Sequence, residues 1–272
     1  MGNALFIVWR ETIEAMLVIG ILHGWLSARP DARAGFPWLW GGIAAGLGLA
    51  AFLAATLMNI QTWVSETALD WFQAVMPLVA SALIFQMVWW MRRHGAGLKK
   101  ELEAGMASAA DRANWLGIAV LAAVAVGREG AETVVFLYGS VKGSANGDIA
   151  LGGAAGFLLA LAAYWLLSRG TRFVSWRAFF RITEVMLLLL GGALLVDGAE
   201  KLVGLEALPP LADPLWNTAF LLDDGTRTGG LVAAFTGYRA APSGMAYAAL
   251  AVYWVLALAG LFKVQPMRRK TT

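Results

Sequence analysis

The sequence contains no cysteine, so it can form no disulfide bond, no thiolate metal site and no cysteine nucleophile. It is also poor in charge, because only 14% of its 272 residues are charged, whereas a soluble domain has about 25%. Hydrophobic residues make up 59% of the chain, and no block of soluble-domain size separates the apolar runs. We therefore expect an all-α integral membrane protein, with residues 1–272 forming one transmembrane domain in the lipid bilayer.

Two further classes of function are not expected. No nucleotide-binding P-loop occurs, so direct coupling to ATP within this chain is not expected. The net charge of +3 comes from basic residues in short connecting segments and in the tail Met267–Lys270. That distribution is typical of membrane topology, and we expect no nucleic-acid partner.

Seven transmembrane helices are predicted, because about 20 apolar residues are needed for each crossing. Basic residues concentrate between the first and second spans, between the third and fourth, and between the fifth and sixth. By the positive-inside rule these segments face the cytoplasm, which gives an N-out/C-in orientation in the plasma membrane, the inner membrane of a bacterium. The predicted spans are 5–26, 36–58, 70–91, 115–138, 149–168, 179–199 and 245–264.

The first and fourth spans carry the same motif, Arg-Glu-x-x-Glu, at 10–14 and 128–132. Because these spans run in opposite directions, the duplication suggests a 3+3 inverted repeat plus one extra helix, an architecture that recurs among transporters. Repeat one would cover about 1–93 and repeat two about 112–200. An acidic outer loop would follow at about 200–244, before the seventh helix at about 245–264.

Each motif places three charged residues inside a membrane span, where each charge costs roughly 2.5–3.5 kcal/mol on insertion scales. At 100° per residue, the arginine and both glutamates of a motif share one helix face, which cannot meet lipid. One guanidinium can neutralise one carboxylate, so each motif keeps a formal charge of −1. Two facing motifs would offer a hard cation the carboxylates of Glu11, Glu14, Glu129 and Glu132, with Arg10 and Arg128 as supporting ion pairs.

Two other interpretations remain open at this stage. The Arg-Glu pairs could serve a purely structural role and lock helices together, as buried ion pairs sometimes do. The glutamates could instead serve an intramembrane enzyme acting on a lipid phosphate, although the chain offers no convincing nucleophile and we assign no catalytic residue. Outside the motifs, we expect Asp197, Asp223 and Asp224 to line an outer mouth that attracts cations.

At these residues the sequence resembles the oxidase-dependent iron permeases, the family of the fungal high-affinity iron permease and the bacterial permease EfeU. The family pattern is Arg-Glu-Gly-x-Glu in the first and fourth of seven helices, and this chain departs from it only at Thr12. The resemblance implies import of iron as Fe(III), with the four glutamates as ligands along the path. It also implies an oxidase or an iron-delivery protein as partner, and iron as substrate without a permanently bound cofactor. Lead or manganese is the alternative cargo.

Overall fold

The computed structural model describes residues 2–94, 97–111, 114–140, 146–168 and 176–263. Within these ranges the fold is helical throughout, with no β-strand. Each of the seven predicted spans overlaps an α-helix, and among the described residues two further α-helices and two short 3-10 helices lie between them. The helices are α1 (Gly2–Ser27), α2 (Phe36–Met58), α3 (Glu66–His94), α4 (Leu98–Asp111), α5 (Trp115–Ser140), α6 (Asn146–Ser168), α7 (Trp176–Gly204), α8 (Arg227–Thr236) and α9 (Gly244–Lys263).

Four of the described helices, namely α2, α3, α6 and α7, are long and apolar enough to cross a membrane, and α9 is a shorter apolar helix. Helices α1 and α5 have 26 residues each, but each includes the three charges of its motif. Large apolar side chains stand exposed along several helices, among them Leu49, Phe52, Val124 and Leu158. Such extended apolar surface is typical of a protein that faces lipid.

The chain forms two compact units. The first unit comprises 1–69 and 97–183, and the second comprises 70–96 and 184–272. Each unit thus takes segments from both halves of the sequence, so neither unit equals one predicted repeat. The repeat boundaries and the single-domain description stay predictions.

Close backbone contacts hold the first unit together. Helix α2 packs along α5, and a Cβ added to Gly46 would lie only 2.8 Å from the backbone nitrogen of Gly127. Helix α6 packs along α1, where a Cβ on Gly156 would lie 3.0 Å from the backbone nitrogen of Trp9. Since no side chain fits at either glycine, the small residues of α2 and α6 allow the helix backbones to approach closely.

Helix α4 was not predicted from the sequence, in which its residues belong to the segment between the third and fourth spans. Its buried side chains Leu102, Met106 and Ala109 recur at helical spacing and pack into a core cluster with residues of α1, α2 and α5. That core also contains Leu26 and Ile118, which are fully buried. The amphipathic α4 therefore covers one end of the first unit.

In the second unit, α7 packs against α3 and α9. The hydroxyl of Tyr253 in α9 donates a hydrogen bond of 2.9 Å to the backbone oxygen of Leu188 in α7. A Cβ on Gly191 of α7 would lie 3.1 Å from Ile84 of α3, so these two helices also approach closely. Arg92 of α3 forms an ion pair with Glu184 of α7.

Candidate metal centre

The two Arg-Glu-x-x-Glu motifs meet inside the first unit. One carboxylate oxygen each of Glu11, Glu14 and Glu129 lies within 4.8 Å of the other two. Two oxygens on opposite sides of a metal ion bound at about 2.1–2.4 Å are about 4–5 Å apart, so the three carboxylates have the spacing of a metal site. All three residues are buried.

The antiparallel course of α1 and α5 produces this meeting. Near one end of the pair, Leu26 of α1 and Ile118 of α5 both lie beside Gly35. Glu14 lies twelve residues before Leu26 in α1, and Glu129 lies eleven residues after Ile118 in α5. These two glutamates come together in the carboxylate cluster. The two helices therefore stay side by side over about three turns, which brings the motif of each helix to the same level.

The first motif is almost completely enclosed. Arg10 is only 2% exposed, and its Nη1 lies 2.6 Å from Oε1 of Glu11. Its Nη2 contacts Oε1 of Glu14 as an ion pair without the geometry of a hydrogen bond. One guanidinium thus bridges both carboxylates of the motif, which orients them and neutralises one of the two charges.

The second motif is more open, although its sequence is nearly the same. Arg128 is 43% exposed, and its Nη2 lies 2.8 Å from Oε1 of Glu129. Its Nε lies 3.5 Å from Oε1 of Glu132, whose side chain is 16% exposed. Glu132 lies outside the cluster of three carboxylates and is more exposed than they are. It therefore occupies the more accessible border of the centre.

Each arginine engages the Oε1 atoms and leaves other oxygens for a ligand. Oε2 of Glu11, Glu129 and Glu132 is buried without a hydrogen-bond partner. Buried carboxylate oxygens without a donor are unfavourable unless a bound cation or a proton offsets their charge. Four glutamates and two arginines carry a formal charge of −2, so the centre is suited to a multivalent cation with a preference for oxygen ligands.

The three predicted outer-mouth residues form ion pairs and hydrogen bonds within the second unit. Asp197 forms ion pairs with Lys201 and, at 3.1 Å, with Arg239. Arg239 also lies 3.4 Å from Asp224, while Asp223 accepts a hydrogen bond of 2.8 Å from the backbone of the turn before α8. These bonds fasten the segment before α9 to α7, and the role of the three aspartates in attracting cations stays a prediction.

Arg239, the partner that Asp197 and Asp224 share, is not among the residues predicted from the sequence. The available signal was an arginine within a segment rich in acidic residues, fifteen positions after Asp224. Spacing along the chain could not show that the same guanidinium also reaches Asp197 in α7, 42 positions earlier.

Comparison with known proteins adds an independent finding. The family model described as the iron permease FTR1 family matches residues 1–265. Among curated proteins, the chain is similar to the ferrous iron permease EfeU of Escherichia coli O6:H1 (strain CFT073), with 27% identity over 93% of this chain and 92% of the relative. It is 28% identical to the protein of the same name from Yersinia pestis, over 93% of this chain and 90% of the relative. No solved structure matches.

Proposed function

Since the chain belongs to the iron permease FTR1 family, we propose that it imports iron across the plasma membrane along a path lined by the glutamates of its two motifs. The observation that carries the proposal is the buried triad of Glu11, Glu14 and Glu129, drawn from two helices and held by two arginines. The family and the names of the relatives point to a transporter rather than to an enzyme.

The proposed topology has seven spans in an N-out/C-in orientation. It is supported by the helix found at each predicted span and by the basic connecting segments. The inverted repeat is supported by reciprocal packing, because α2 of the first half packs on α5, and α6 of the second half packs on α1. Such an exchange of partners is expected when two similar halves meet at a central site.

Iron would bind where α1 and α5 meet, in contact with carboxylate oxygens that the arginines leave open. The arginines keep the carboxylates oriented and reduce their mutual repulsion. Glu132, on the open border, would receive the ion and pass it to the enclosed triad. Movement of one half against the other would then expose the triad to the cytoplasm.

Two oxidation states are candidates for the cargo. The oxygen ligands and the resemblance to oxidase-dependent permeases favour Fe(III), which an oxidase or a delivery protein would supply. The names of the relatives favour Fe(II), and a divalent ion would exactly balance the formal charge of −2 on the four glutamates and two arginines. Uptake measured separately with each state distinguishes the two.

The test is uptake of radioactive iron into proteoliposomes, comparing the wild type with Glu14→Gln and Glu132→Gln at matched protein content. Glu184→Gln is the matched control, since Glu184 is also ion-paired to an arginine but belongs to the second unit. We expect both motif variants to lose uptake by at least about tenfold, because each loses a ligand worth 1.4 kcal/mol or more. The control should transport normally.

Other outcomes identify the alternatives. Normal uptake by both motif variants would mean that iron does not pass these glutamates. Loss of protein from the membrane together with activity would favour the ion-pair lock. If the wild type moves no iron, transport of manganese or lead and turnover of lipid phosphates would be measured next.

A further inference from the structure

A second set of oxygen atoms lies on the same faces of α1 and α5 as the glutamates. Asn3 stands eleven residues before Glu14 in α1, and Ser140 stands eleven residues after Glu129 in α5. Eleven residues make almost exactly three helical turns, so each polar residue falls within about 20° of the glutamate on its own helix. The rise over that distance is about 16 Å.

The antiparallel register brings the two residues to one level. Because α1 and α5 run in opposite directions and meet at Glu14 and Glu129, equal steps away from the triad lead to Asn3 on one helix and Ser140 on the other. The opposite side of α1 is occupied by α6, whose Gly156 and Ala160 pack near Leu5, Trp9 and Ile13. The face that carries Asn3 is therefore the one directed toward α5.

Both residues carry a buried oxygen atom that lacks a hydrogen-bond partner. Asn3 is only 9% exposed, and its Oδ1 makes no hydrogen bond. The Oγ of Ser140 is likewise buried without a partner. Buried carbonyl and hydroxyl oxygens in native proteins are nearly always satisfied, so this unpartnered pair points to water or a bound ion at this level.

An apolar layer separates this pair from the carboxylates. Ile7 and Phe136 lie seven residues from Glu14 and Glu129, on the same helix faces, and both are fully buried. Along the two helices the order is therefore neutral oxygens, then apolar side chains, then carboxylates. A cation entering from the Asn3 end would meet neutral ligands before charged ones.

We propose that Asn3 Oδ1 and Ser140 Oγ form an outer binding site for a partly hydrated multivalent metal cation, which holds the ion before it passes Ile7 and Phe136 to the glutamates. Amide and hydroxyl oxygens are hard ligands that such cations accept alongside water. Neutral ligands bind more weakly than carboxylates, so the ion can leave this site toward the triad. The inference rests on the proposed function, because it assumes that the cation reaches the glutamates along α1 and α5.

The experiment measures the KM and the maximal rate of iron uptake for Asn3→Leu, Ser140→Ala and the double variant, in proteoliposomes of equal protein content. The control is Ser81→Ala, which removes a buried hydroxyl from the second unit. We expect the double variant to raise KM roughly fivefold or more, which corresponds to about 1 kcal/mol of lost binding free energy. The maximal rate and the control should stay at the wild-type value.

Two conservative variants distinguish ligation from packing. Asn3→Asp and Ser140→Thr keep an oxygen at each position, so we expect KM near or below the wild-type value. A double variant with wild-type KM overturns the outer site while leaving the proposed function intact, provided that Glu14→Gln abolishes uptake. A wild type that moves no iron overturns the proposed function and this inference together.

Discussion

The unequal burial of the two motif arginines gives a quantitative prediction about stability. Arg10→Gln removes a guanidinium that is 2% exposed and that contacts two carboxylates, whereas Arg128→Gln removes one that is 43% exposed. If burial of the arginine sets the loss of stability, the two substitutions should differ strongly in how far they destabilise the protein, although the motifs are nearly identical in sequence. We expect Arg10→Gln to be much the more destabilising.

The magnitude follows from the surroundings of each pair. Removing one partner of a fully buried ion pair costs about 3–5 kcal/mol, because the remaining charge is left without compensation. Exposed ion pairs are worth about 0–1 kcal/mol. Arg128 falls between the buried and exposed cases, because it is itself 43% exposed while its partner Glu129 is buried. We therefore expect Arg128→Gln to lower the free energy of unfolding by about 1–2 kcal/mol. The difference of about 2–3 kcal/mol corresponds to roughly 4–12 °C in Tm for a chain of this size.

The difference in Tm is measured by thermal unfolding of the purified protein in detergent, with tryptophan fluorescence as the readout. Arg10→Lys and Arg128→Lys are the matched controls, because they keep the charge but lose the planar fork that contacts two carboxylates. Arg10→Lys should recover part of the lost Tm. Equal shifts for Arg10→Gln and Arg128→Gln would refute the reasoning, since they would show that burial does not set the stability of the pairs.

Three further substitutions test the packing around the centre. Gly156→Ala should lower Tm because its Cβ would meet the backbone of α1, at a cost of about 1–3 kcal/mol, while Gly153→Ala has ordinary contacts and should melt like the wild type. Met106→Lys places a charge in the core that α4 shares with α1 and α5, so the abundance of the protein in membranes should fall, as an immunoblot would reveal. Arg239→Gln removes the ion pairs to Asp197 and Asp224, and limited proteolysis should then cleave faster before α9; unchanged cleavage would contradict this.

The seven long helices could be predicted from the sequence because each lies in a mainly apolar segment of about 20 residues, even where a motif interrupts it with charges. Their ends were harder to place. Helix α7 was expected to stop at residue 199 but continues to Gly204, where Lys201 pairs with Asp197 one turn earlier. An i, i+4 ion pair stabilises a helix in polar sequence, so hydropathy alone ends the helix too early.

Helix α4 could not be predicted in this way, because it lacks a long apolar run. Its sequence is too polar for a membrane span, and its apolar residues Leu102, Met106 and Ala109 are few. They form a stripe that becomes stable only when α1 and α5 provide a surface to cover. Tertiary packing therefore decides whether this segment is helical, and a search for long apolar runs does not detect it.

The candidate centre was predictable in part. Helical periodicity places Arg10, Glu11 and Glu14 on one face, and the repeated motif indicates which two helices carry the candidate ligands. It does not reveal which carboxylates converge, and the structure clusters Glu129 rather than Glu132 with the first motif. The different exposure of the two arginines was also hidden, because it depends on neighbouring helices rather than on the motif.

Convergence of the carboxylates also suggests how affinity and release can coexist. The triad takes two carboxylates from α1 and one from α5, while α6 packs closely on α1 and α2 on α5. If each motif helix moves with its glycine-packed partner, a small displacement between these two pairs withdraws Glu129 from Glu11 and Glu14 without disturbing the ion pairs within either motif. A site that loses one of three carboxylates binds a multivalent cation less tightly, so the movement that opens the centre would also lower its affinity.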